Sequence, residues 1–108
     1  AYEIKSGVGF KSITQGALSG EYMLTLNDGL KGHAVVVSPV ASSSFDLNQM
    51  GGIPATWVQS VGWTNVETED VFTSITVRNR HTATDTVTII NANIDNFVIV
   101  TGYEPYTP

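Results

Sequence analysis

The chain has 108 residues, 42% of them hydrophobic and 14% charged, with five basic residues against ten acidic ones, a net charge of -5 and no cysteine. That length holds one domain with one core, and the low charge is unlike a disordered tail. The acidic balance disfavours nucleic acid and anionic membrane surfaces as partners, and the lack of cysteine excludes a disulfide framework and a thiolate zinc site.

Six to eight short runs of Val, Ile, Thr, Phe and Tyr, separated by Gly, Asn, Asp and Ser, give an antiparallel all-β sandwich as the expected fold. Val8 to Thr14 opens with a short strand, and Gln15 to Gly20 is read as a turn. Tyr22, Leu24 and Leu26 share one face of the next strand, which Asn27-Asp28-Gly29 ends with hairpin turn chemistry. Its expected hairpin partner is Ala34 to Val37, a continuous apolar run closed by Pro39 and read as covered on both faces.

Ala41 to Pro54 is read as an ordered loop. Ala55 to Val61 and Val71 to Val77 supply two strands, the latter with Val71, Thr73, Ile75 and Val77 opposite Phe72, Ser74, Thr76 and Arg78. Arg78 to Asp85 is taken as a polar connection, and Thr86 to Ile90 as a strand with Val87 and Ile89 inward. Asn96 to Tyr103 closes the sheet, with Phe97, Ile99 and Thr101 opposite Val98 and Val100. No apolar run approaches the ~18 residues of a spanning helix, so no membrane insertion is expected. The start at Ala1 and the proline-punctuated end fit a piece of a longer protein.

The strand Tyr22 to Leu26, the run His33-Ala34-Val35-Val36-Val37-Ser38-Pro39, a middle with Trp57, and Asn96-Phe97-Val98-Ile99-Val100 together resemble the C-terminal β-sandwich of bacteriophage tail fibres and appendage spikes. The resemblance covers about half the chain. It departs from that pattern in the insertion from Ser42 to Pro54 and in a last strand ending in Gly102-Tyr103. The resemblance implies a jelly-roll-like or H-type-lectin-like homotrimeric receptor-binding tip domain of a virion, contacting host cell-surface polysaccharide. Two alternatives stand beside it: a purely structural trimerisation module, and a carbohydrate-binding module of a secreted hydrolase.

Binding chemistry rests on aromatic rings with polar neighbours, because sugar C–H faces stack on indole while amides and carboxylates take the hydroxyls. Trp57 and Trp63, with Gln59, Asn65 and Glu67, form the candidate ligand site. A core position for Trp57 is the competing reading. Arg78 and Arg80 share a face and are read first as a pair solvated at a loop; the alternative is a grip on a carboxylate of a neighbouring subunit, such as Asp85 or Glu69, or on an acidic sugar.

Catalysis has a thin inventory. His81 and Asp85 are read as part of a turn, and Glu67, Glu69 and Asp70 have no cleft assigned, so no enzymatic role is expected. Asp46-x-Asn48 and Asn93-x-Asp95 lack the loop pattern of a calcium site, and His33 and His81 share no ligand spacing; no metal or cofactor is expected.

Overall fold

A computed structural model describes residues 2–40, 54–66, 69–82, 89–91 and 94–102. Among the described residues seven strands run β1 (Phe10–Gln15), β2 (Glu21–Leu26), β3 (Ala34–Pro39), β4 (Pro54–Val66), β5 (Glu69–Thr82), β6 (Ile89–Asn91) and β7 (Asn96–Thr101). The larger sheet has the order β1-β2-β5-β4, with β6 also paired to β5; the smaller one pairs β3 with β7. Every pairing among the described strands is antiparallel. The two sheets pack together as the antiparallel β-sandwich that the strand pattern predicts. In the order of the described strands the chain changes sheet from β2 to β3, from β3 to β4 and from β6 to β7.

β5 is the spine. Its one edge is taken by β4 from Glu69 to His81, and the other serves in turn Gly32 at Phe72, β2 at residues 74–78 and β6 at Arg80 to Thr82. The connection expected from Arg78 onward is therefore strand through Thr82. The reason lies in its period: Ile75, Val77 and Asn79 keep one inward parity, and all three are buried.

Tyr22, Leu24, Phe72, Ile75 and Val77 form the core, covered by Val35, Val37, Val98 and Val100 of the small sheet. Simple alternation along β5 puts Phe72 on the outward side, opposite Ile75. A register shift pairs Gly62 with Ser74 but Trp63 with Phe72, so Thr73 is the extra residue of a bulge and Phe72 turns inward.

The expected hairpin between Tyr22–Leu26 and Ala34–Val37 does not form. Leu30 N–H does donate to Asn27 O at 3.0 Å, and Gly29 takes φ 84°, so the turn is there. Beyond it the chain changes sheets. Gly32 exchanges two backbone hydrogen bonds with Phe72 of the large sheet, whereas the next residue, His33, donates to Thr101 O of the small one at 2.8 Å. Gly32 lies against the Phe72 ring, where a Cβ would collide, so glycine is what allows this corner. β3 also departs from the expected two-sided burial, since Val35 and Val37 are half-buried and Val36 is 64% exposed. The loop read from Ala41 to Pro54 lies almost wholly outside the described residues, as do Val87, Asp85 and Tyr103.

Candidate functional site

β4 and β5 run side by side for their whole length, and their pairing decides which candidate side chains meet. Trp57 stands opposite Arg78, and Arg78 stands opposite Glu21 of β2. Because Val77 and Asn79 point into the core, all three point outward. Gln59 is the extra residue where Val58 pairs with Val77 and Ser60 with Thr76, and that bulge places its amide beside Arg78. Arg78 Nη1 lies 3.4 Å from Gln59 Oε1 and 3.8 Å from Glu21 Oε2.

One end of the outer face thus carries an indole, an amide, a guanidinium and a carboxylate across three adjacent strands. The indole of Trp57 is 38% exposed, so neither full burial in the core nor free projection describes it. Further along, the same face presents Thr14, Met23, Thr76 and Ser60, then Ser12, Thr25, Ser74 and Gly62, in cross-strand rows. A Cβ on Gly62 would run into Ser74 Oγ, so the glycine leaves that hydroxyl its place on the surface. These rows carry six hydroxyls, on Thr14, Thr76, Ser60, Ser12, Thr25 and Ser74.

Trp63 does not join this group. It pairs with inward-facing Phe72, and the two rings meet edge to face at 6.4 Å and 84°. Trp63 therefore lies on the core side of the large sheet, 67% exposed, roughly 20 Å along β4 from Trp57 at about 3.3 Å per residue. Asn65 belongs to the same end of β4, paired with Asp70. Glu67 lies outside the described residues.

Arg80 continues the outward parity of Arg78, opposite Ala55 on one side and Asn91 on the other. The carboxylate that Arg78 meets belongs to Glu21 of its own chain, while Glu69 sits at the other end of β5. Among the described residues no three His, Asp or Glu side chains gather as metal ligands.

Beneath the outer face lies a buried polar cluster that sequence reasoning missed. Asn79 is fully buried and its Nδ2 donates to Gly20 O, to Asn96 Oδ1 and to the Tyr2 hydroxyl, while its Oδ1 accepts from Thr56 and from Asn96 Nδ2. Tyr2 donates to Ile94 O and accepts from Ile94 N–H, and the Tyr22 hydroxyl donates to Asn96 Oδ1 at 2.7 Å. Burial pushes both phenols above their ordinary value, Tyr22 strongly. With its partners supplied internally, this cluster is a joint between sheets. The signal that could have found it is the inward parity of Ile75, Val77 and Asn79.

A cleft of about 320 Å³ opens between the N-terminal segment and β7, lined by Tyr2, Ile4, Phe10, Ile13, Leu24 and Phe97 among others. Its walls are mainly apolar, and Lys5 and Asp95 on its rim lie 3.4 Å apart. No protein-family model, curated protein or solved structure matches this chain.

Proposed function

We propose that this chain is a non-enzymatic binding domain whose outer large-sheet face contacts carbohydrate, in the setting of a phage tail fibre or spike that meets host cell-surface polysaccharide. The observation that carries the reading is the row Glu21, Arg78 and Trp57 with Gln59 at its side. An indole offers a flat apolar patch to sugar C–H groups, and the exposed Gln59 amide beside it offers a donor and an acceptor to hydroxyls, while Arg78 and Glu21, with side chains 15% and 18% exposed, fix that amide and present only their edges. The hydroxyl-bearing remainder of the face, spread in rows across four strands, suits a polymer laid across it better than a small molecule held in a pocket.

Binding to a panel of bacterial surface polysaccharides, measured by calorimetry, tests this. Trp57→Ala is expected to weaken the interaction by at least roughly tenfold, equivalent to about 1.4 kcal/mol, with the fold intact, and Trp63→Ala to leave it unchanged. A folded Trp57→Ala protein that binds like the parent overturns the site. A carbohydrate-binding module of a secreted hydrolase would use the same face; a monomeric state in solution favours it over the fibre domain. The purely structural reading draws on a different observation, the apolar outer surface of the small sheet.

A further inference from the structure

The small sheet is apolar on both sides. Its inward residues Val35, Val37, Val98 and Val100 pack on the core. Its outward residues are Ala34, Val36 and Ser38 on β3, paired with Thr101, Ile99 and Phe97 on β7. Val36 is 64% exposed, Phe97 58% and Ile99 46%. An antiparallel sheet with one free side ordinarily alternates apolar-in with polar-out, and here that alternation is missing in two strands that, among the described residues, pair with each other alone.

We infer that this face is where a second copy of the chain docks. The twelve residues of β3 and β7 include no Lys, Arg, Asp or Glu, whereas the outer face of the large sheet carries Glu21, Arg78 and Arg80. Two copies each of net charge -5 repel, and they meet at least electrostatic cost through a surface that bears no charge. The layout also suits self-recognition. Val36 faces Ile99 at the centre of the ribbon, so an in-plane twofold axis there sets this β-branched pair on its own equivalent, as an isologous contact requires.

Docking here leaves the face around Trp57 on the opposite, outer side of each sandwich. A self-associated form therefore presents several copies of that face at once. The contact itself does not depend on the carbohydrate reading and is tested without any ligand.

Two six-residue strands about 4.8 Å apart present roughly 20 Å by 10 Å, well below the ~800 Å² per partner of a standard stable interface. The expected association is accordingly concentration-dependent. Light scattering from roughly 10 μM to about 1 mM, the range in which micromolar to millimolar contacts form, is expected to show the mass rising above one chain. Val36→Lys is expected to hold it at one chain throughout, with circular dichroism and melting temperature retained, and Met23→Lys on the opposite face to leave the association as in the parent. As a measurement on the unaltered protein, concentration-dependent amide shifts are expected to centre on residues 34–39 and 96–101. A single-chain mass at every concentration, association that survives a folded Val36→Lys, or shifts centred elsewhere overturns the assignment.

Discussion

Asn79 of β5 and Asn96 of β7 exchange two hydrogen bonds, Asn79 Nδ2 to Asn96 Oδ1 at 2.8 Å and Asn96 Nδ2 to Asn79 Oδ1 at 2.9 Å. Each strand belongs to a different sheet, so the amide pair sets how the two layers sit on one another. The hydrophobic attraction between apolar layers is non-directional. A reciprocal amide pair has one register in which all its groups are satisfied, and fixed partners at Thr56, Gly20, Tyr2 and Tyr22 hold that register.

Asn79→Ala is therefore expected to destabilise the domain severely, by about 3–5 kcal/mol, since each buried group left without its partner costs roughly 1–3 kcal/mol. That is a large share of the ~5–15 kcal/mol of a typical domain. Asn96→Ala is expected to cost less, because Asn96 is half-buried and water reaches the gap. Urea denaturation of both single variants and the double variant is expected to give a coupling of about 1–3 kcal/mol. Additive losses would show that the pair does not act as a unit.

Gly32 marks the corner where the chain leaves one sheet for the other, and the Phe72 ring occupies the space a Cβ would need. Gly32→Ala forces either the ring or the backbone pair Gly32–Phe72 to move, and overpacking of this kind costs about 1–3 kcal/mol. Adding Phe72→Leu is expected to recover part of the loss, so that the double variant is more stable than the two single losses predict. Thermal melts of the three variants decide it; a double variant at the additive value places the strain elsewhere.

Much of the sandwich was legible because alternation dominates it. Tyr22, Leu24 and Leu26 point inward as their spacing requires, and Phe97 and Ile99 oppose Val98 and Val100 as read. What failed has a common cause in non-local pairing. Nothing local in Asn27-Asp28-Gly29 records that the following strand crosses to another sheet, because the switch is made by Gly32 and His33 bonding to residues 72 and 101. The bulges at Gln59 and Thr73 are equally silent in sequence, yet one carries Gln59 to Arg78 and the other turns Phe72 into the core. Trp57 and Trp63 look like one cluster at six residues' spacing; the face each occupies follows from pairings that the spacing does not contain.

The phenols of Tyr2 and Tyr22 make stability depend on alkaline pH. Their folded-state values lie above the ordinary 10.0, because burial opposes the phenolate. A raised folded value means that the unfolded chain releases its protons first, so the contribution is complete below pH 10 and falls as pH rises beyond it. Urea midpoints are expected to stay level from neutral pH to about pH 9 and to drop above 10, with a slope from Tyr22 of at most about 1.4 kcal/mol per pH unit. Tyr22→Phe lowers stability at neutral pH, through the lost bond to Asn96, and flattens the alkaline decline. An unchanged slope in that variant assigns the decline to other groups.

The opposite placement of the two indoles gives a spectroscopic test of which face meets carbohydrate. Trp57 lies on the outer face beside Arg78 and Gln59, whereas Trp63 rests edge-on against Phe72 on the core side. In a Trp63→Phe protein the indole emission, excited beyond the tyrosine band, comes from Trp57 alone, and in Trp57→Phe from Trp63 alone. A binding polysaccharide is expected to shift the emission of the first and to protect it from acrylamide quenching, because a sugar stacked on the ring excludes water and quencher together. The second is expected to keep its spectrum and its quenching. The reverse result would move the contact to the Trp63 end of β4, and a response in both would require a ligand that wraps around the edge of the sheet.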